Sequence, residues 1–265
     1  MVLGEFVKYS ASSDNMKAFV KIVRPWVMAF LYPKPLIGLL YLPRFFSHWF
    51  KYARNARGQK IGLLDFQPCL GDWSTHTPFD AHYFYQGAWL ARKLAQSDPA
   101  QHVDIGSSVL TMSVLSGMVD TIFVDYRPLN ASLSGLTSLS GDILNLPFAD
   151  NAVGSLSCLH VIEHIGLGRC GDSIDPEGSL KAARELQRIV SSGGKLFLSL
   201  PIGRERICFN AHRVHAPASV PAMFSQMRLV EFSYVDDNGQ FREAQPVSAA
   251  SQLEYGCGMF QLVKP

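Results

Sequence analysis

The chain has 265 residues, 48% hydrophobic and 17% charged. It therefore holds ample apolar material for a packed core, which excludes a disordered chain or a linker and suits one large domain or a domain with an extension. The net charge of +2 hides an asymmetry: residues 1–60 carry ten Lys and Arg against Glu5 and Asp14, whereas the remaining 205 residues are net −6.

In chain order, residues 14–31 place Met16, Phe19, Val20, Val23, Trp26, Val27, Phe30 and Leu31 at helical spacing, with Lys17, Lys21 and Arg24 on the opposite face. The apolar stretch Trp26–Leu42 is interrupted by Pro33-Lys34-Pro35, too soon for the roughly 20 residues of a bilayer span. Residues 44–57 repeat the basic, aromatic style, with Phe45, Phe46, Trp49 and Phe50 among Arg44, Lys51 and Arg54. Residues 1–60 thus read as an amphipathic extension, either an anchor on an anionic membrane surface or a lid on the remainder, residues 61–265. Five scattered cysteines without CxxC spacing point to a reducing compartment. The expected location is the cytoplasm, at the inner membrane face where the extension anchors.

From about residue 80 strands and helices alternate. A helix is expected over Tyr83–Gln96, and strands over Gln101–Ile105, Thr121–Val124 and Val153–Leu159. A helix over Leu180–Val190 ends at Ser191-Ser-Gly-Gly194, and Lys195–Leu200 forms a strand closed by Pro201. Late strands are expected at Leu229–Val235 and Met259–Val263. This alternation argues an α/β fold with a largely parallel sheet.

Asp104-Ile-Gly106-Ser107-Ser108 lies at a strand-to-helix turn, where glycine admits a ligand to the backbone and a helix N-terminus offers free N–H groups. Asp125, 21 residues after Asp104, ends the next strand, where an acid can accept both hydroxyls of a ribose. Ser107 and Ser108 stand where a dinucleotide fingerprint would place further glycines.

The segment Gly141-Asp142-Ile-Leu-Asn-Leu-Pro147-Phe148-Ala-Asp150 resembles that of class I S-adenosylmethionine-dependent methyltransferases. The order Asp104-Gly106, Asp125, Asp142, then Gly193-Gly194 before a strand ending Leu200-Pro201, matches that family from about residue 100 to 265. The resemblance implies a Rossmann-like fold with a seven-stranded, mostly parallel sheet and an N-terminal helical extension. It implies S-adenosylmethionine as cofactor, held by Asp104, Gly106, Ser107, Ser108, Asp125 and Asp142. Tyr85, with Asp80, Tyr83 and Gln86 on the helix before the first strand, is placed to cover it. A closer resemblance lies in Leu156-Ser-Cys-Leu-His160-Val-Ile-Glu163-His164-Ile-Gly-Leu-Gly-Arg169 and Phe209-Asn210-Ala-His212-Arg213. These are similar to a methyltransferase-like family first named from nematode proteins and also found in bacterial glycan gene clusters.

His160-x-x-Glu163-His164 has three readings. It matches a zinc-peptidase pattern, but follows a buried strand in a cofactor-binding order. It is also met as a plain helix cap in methyltransferases. It further resembles the ExxEH motif of small-RNA and quinone-pathway O-methyltransferases, whose residues hold a divalent metal. On that reading His160, Glu163, His164 and His212 bind zinc, iron or manganese, with His215 as runner-up ligand. Without a metal, His160 or His212 serves as general base. Arg169, Arg204, Arg206 and Arg213 are either anion-binding residues or a solvated loop face.

The expected function is O-methylation of a sugar hydroxyl in a cell-surface glycan or its lipid-linked precursor. The alternative is a non-catalytic methyltransferase-like protein that binds or scaffolds glycan enzymes. Nucleic acid is disfavoured as a partner because the part carrying these motifs is net negative.

Overall fold

A computed structural model describes residues 39–56, 58–59, 75–169 and 171–265. The helix expected over residues 14–31 and the domain boundary expected at residue 60 lie outside the described residues. The chain divides into two units, Met1–Pro78 and Phe79–Pro265.

In the first unit the structure describes helix α1 (Leu42–Asn55), entered through a 3-10 turn at Leu39–Tyr41 and with a proline in its first turn. None of its residues is buried, and Phe46, Phe50 and Tyr52 are exposed.

The second unit opens with α2 (Ala81–Ser97). Asp80, extended at the N-cap, accepts the Tyr83 N–H at 3.1 Å, and Asp98 in the left-handed region stops the helix. Then follow β1 (Gln101–Ile105), α3 (Val109–Leu115), β2 (Asp120–Asp125), β3 (Leu136–Ser140) and β4 (Val153–Leu159). Next come α4 (Gly178–Ile189), β5 (Val190–Ile202), the hairpin β6 (Arg206–Cys208) and β7 (His212–Val214), and α5 (Ser219–Met223). The chain closes with β8 (Arg228–Val235), β9 (Phe241–Arg242) and β10 (Gly256–Val263).

One sheet has the order β3-β2-β1-β4-β5-β10-β8-β9. Pairs from β3 to β5 are parallel, and β10 runs antiparallel to both β5 and β8. The expected seven strands are present, and the two-residue β9 adds an eighth at the edge. Pro201 lies inside β5 rather than closing it, since β10 pairs with that strand as far as Ile202.

The sheet is apolar on both faces, as a helix-covered parallel sheet requires. Leu196, Leu198 and Leu200 of β5 share one cluster with Leu186 and Ile189 of α4 and Phe224 after α5. Phe197 and Met259 share the other with Trp89, Leu90 and Leu94 of α2 and Met112 of α3. Strand order reverses between β1 and β4, so their carboxyl ends open a crevice, the usual ligand position in open α/β sheets. Gly106 follows β1 there and His160 follows β4.

Candidate active site

Two clefts meet at this crevice. The first, about 330 Å³, is lined by Gly106, Asp125, Asp142, Asp172, Asp175, His160 and His164 among others. Gly106 has φ +66°, and a Cβ there would press on Val161 at 3.3 Å, so its backbone forms an uncrowded floor. Asp125 accepts the Arg127 N–H on Oδ1 at 2.8 Å, while Oδ2 lies toward the Gly106 turn. Asp142 accepts the Leu144 N–H at 2.9 Å, which shapes its turn on the cleft wall.

The other residues expected at the cofactor sit elsewhere. Asp104 is fully buried under the turn, where it accepts the Ser107 N–H at 3.0 Å, the Ser107 hydroxyl at 2.7 Å and the Ser157 hydroxyl. Burial pushes its carboxyl up to about 6, against these hydrogen bonds. Ser107 in turn accepts the Leu159 N–H at 2.9 Å, which ties β1 to the end of β4. Ser108 is the residue before α3 and its side chain makes no capping bond. Tyr85 stacks on Phe241 at 5.2 Å, packed against the α2 side of the core. The structure thus brings Gly106, Asp125 and Asp142 to one cleft, and puts Asp104, Ser107 and Tyr85 into its supporting framework.

The second cleft, about 500 Å³, is walled by His82, Tyr83, His160, His164, His212 and Tyr255, with Asp80 and Arg169 at its margin. His160 and His164 line both clefts. His160 is not on a helix: its φ is +57°, at the bend between β4 and the single 3-10 turn Ile162–His164. That left-handed conformation, costly for a residue with a Cβ, turns its ring back to Glu163, with Nδ1 2.8 Å from Oε1. Glu163 is wholly buried. Burial opposes a charge on His160, but Cys257 and the Glu163 carboxylate outweigh it and hold the imidazole well above its ordinary range. His164 donates from Nδ1 to the Ala211 carbonyl at 2.6 Å, and its Nε2 lies 3.7 Å from Glu163 Oε1. Burial lowers half-buried His212 below the ordinary histidine value. It also takes His82 down to about 4, helped by His160. Both rings are therefore neutral at pH 7.

The four metal ligands expected from the sequence are not gathered. The His164 and His212 ring centres are 6.4 Å apart, and Glu163 Oε1 is 3.7 Å from His164 Nε2 while already bonded to His160. The helical turn expected to align them is replaced by the bend at His160. Among the described residues, the one group whose donor atoms all lie within 4.8 Å of each other is His82, His160 and Cys257.

The arginines also sort differently. Arg213 is buried and donates to the carbonyls of Ile165, Asp175 and Pro176, at 2.6, 3.2 and 3.3 Å, so it holds the loop before α4. Arg204 pairs with Glu254 at 3.1 Å, and Arg206 bonds the Glu254 carbonyl at 2.8 Å. Arg169 alone of the four borders the second cleft. Sequence reasoning missed His82, Tyr255 and Cys257 as site residues. No local spacing links them, since α2 and β10 bring them beside His160 only in the folded sheet.

The parallel run β3-β2-β1-β4-β5 followed by an antiparallel hairpin of β8 and β10 settles the architecture. The chain has the class I methyltransferase fold. A protein from Galdieria sulphuraria named for sarcosine dimethylglycine methyltransferase activity is similar to it at 12% identity and TM-score 0.50, over 68% of this chain and 85% of that one. The N-methyltransferase NodS from Bradyrhizobium japonicum, solved with S-adenosyl-L-homocysteine, matches at 14% identity and TM-score 0.48, over 75% and 92%. A SAM-dependent methyltransferase from Aquifex aeolicus matches at 15% and 0.43, over 70% and 100%. Residues 149–253 match the family DUF268, described as a Caenorhabditis protein of unknown function, in line with the resemblance to a nematode-named family. No curated protein matches the chain.

Proposed function

We propose that the protein transfers a methyl group from S-adenosylmethionine to a sugar hydroxyl of a glycan or lipid-linked precursor. The observation that carries this reading is the meeting of two clefts at His160 and His164, one built for a nucleoside and the other for a polar, ring-shaped acceptor. In the first cleft Gly106 would offer bare backbone to the cofactor, Asp125 Oδ2 would accept the ribose hydroxyls, and Asp142 would take the adenine. Four carboxylates on its rim, Asp125, Asp142, Asp172 and Asp175, suit a sulfonium cation. S-adenosylmethionine supplies an electrophilic methyl group on that sulfonium.

In the second cleft the aromatic lining of Tyr83, His82 and Tyr255 suits the C–H face of a sugar, while Asp80 and Arg169 would serve its hydroxyls. Methyl transfer is an in-line displacement that depends on positioning, and the acceptor hydroxyl must shed its proton. We assign that proton to His212. It presents a neutral ring to the cleft, whereas His160 already holds its proton against Glu163. His164, fixed by the Ala211 carbonyl, orients the acceptor through Nε2.

Incubation with methyl-labelled S-adenosylmethionine and a polysaccharide or lipid-linked sugar fraction tests the proposal. Label should enter alkali-stable methyl ethers of sugar in the presence of wild-type protein, and label found only in amines or carboxyl esters would refute sugar O-methylation.

A second, separate reading concerns α1, whose exposed Phe46 and Phe50 stand among Arg44, Lys51 and Arg54. Such a face suits attachment to an anionic membrane surface. No helix among the described residues is long and apolar enough to cross a membrane.

A further inference from the structure

His82, His160 and Cys257 come from α2, the bend after β4 and the start of β10. Each offers a donor atom within 4.8 Å of the other two. Around zinc, ordinary bond lengths put tetrahedral donors about 3.3–3.6 Å apart, so small ring and thiol rotations would close the set. We propose that these three residues form a metal site, with zinc the ion its donors suit.

Four features carry it. The His160 side chain is only 7% exposed, and its Nε2 is buried without a hydrogen-bond partner, an orphan that a metal would satisfy. Its other nitrogen is held by buried Glu163, the carboxylate–histidine arrangement that orients imidazoles toward metals. Cys257 is fully buried, and its thiol faces His160 and makes a long contact of 3.9 Å to the Gly258 carbonyl. His82 stacks nearly parallel to His160, at 5.6 Å and 12°, so the two rings share one edge of the cleft.

Two imidazoles and a thiolate select zinc over magnesium or calcium. As the ion binds, Cys257 releases its thiol proton and His160 its Nε2 proton to solvent, Nδ1–H stays on Glu163, and the thiolate with the Glu163 carboxylate balances the two positive charges. Three protein donors leave a tetrahedral ion one open position. His82 and His160 line the second cleft while Cys257 lies behind in the core, so an acceptor oxygen could take that position. The site does not rest on the methyl-transfer reading.

The test uses full-length protein without a histidine tag, stripped with chelator and titrated with Co²⁺ in the absence of any adenosyl ligand. We expect one Co²⁺ per chain, with tetrahedral visible bands and a thiolate-to-cobalt charge-transfer absorption that Zn²⁺ abolishes by displacement. His82→Ala and Cys257→Ser should each weaken binding more than about 100-fold, and Glu163→Gln, which touches only the outer shell, about 10-fold. His164→Ala and His212→Ala should keep both stoichiometry and spectrum. Absence of the thiolate band from wild-type protein overturns the site without any variant. So does a band that survives His82→Ala or disappears in His212→Ala. Because no adenosyl ligand is present, failure here leaves the methyl-transfer proposal standing.

Discussion

The two clefts are built in different ways. The first is made at consecutive strand ends, where Gly106, Asp125 and Asp142 each terminate or follow the next strand in line. The second is assembled from four distant segments around residues 80, 160, 212 and 255, with the β6–β7 hairpin supplying one wall. A cleft built from successive turns is readable from chain order, because a parallel sheet sends every such turn to the same edge. A cleft built by convergence is not. Its members share no spacing, and strands out of sequential order decide which of them meet.

The largest effect that would separate the clefts is expected at His212. His212→Ala should lower methyl transfer about 10²- to 10⁴-fold, the usual contribution of a general base, while S-adenosylhomocysteine affinity stays at the wild-type value. Equal losses of rate and of cofactor affinity would mean that the clefts are not separable.

Next is the framework beneath the first cleft. His102 is fully buried between the Ser155 and Ser157 hydroxyls, both at 2.8 Å, and burial lowers its pKa to about 4. As pH falls, the unfolded chain therefore takes up this proton before the folded one. Its contribution to stability is whole above pH 6.5 and is lost between 6.5 and about 4, to the extent of about 3 kcal/mol. Asp104, raised to about 6, works with the opposite sign, since the folded state takes that proton first and regains some stability as pH drops below 6. Urea unfolding at pH 7 and pH 4.5 should show a smaller acid loss in His102→Gln than in wild type. An equal or larger loss would remove His102 from this account.

Asp125→Ala should weaken S-adenosylhomocysteine by about 1.5–3 kcal/mol, as expected for hydrogen bonds to a charged group. Its rate in the second cleft at saturating cofactor should be nearly unchanged. The smallest effect belongs to α1. Lys51→Glu with Arg54→Glu should release the protein from anionic vesicles at lower salt, with about 1 kcal/mol lost per basic residue removed. Sedimentation unchanged by these substitutions would favour the lid reading.

Much of the fold was legible because buried parallel strands are short apolar runs between punctuating turns. Val153–Leu159 and Gln101–Ile105 occur with the bounds expected. The strand Leu136–Ser140 escaped notice because, half-exposed beside β2, it reads Leu-Thr-Ser-Leu-Ser rather than as an apolar run. The motif order marks Asp104 but not its surroundings. Its partner Ser157 lies 53 residues away and meets it only through the register of β1 with β4. His160 illustrates the same limit locally. The HxxEH spacing suggests one helical face, yet a single left-handed residue at the strand end, the first histidine itself, takes it out of line with the second. That conformation answers to contacts with Glu163, inside the motif, and with Cys257, which the motif does not contain.

The central claim is that the Gly106–Asp125–Asp142 cleft holds the adenosyl cofactor, and calorimetry of the full-length protein with S-adenosylhomocysteine tests it most directly. The account predicts saturable binding of one ligand per chain, weakened about 10- to 100-fold in Asp125→Ala. No heat of binding at millimolar ligand, or binding unchanged in Asp125→Ala, would contradict it.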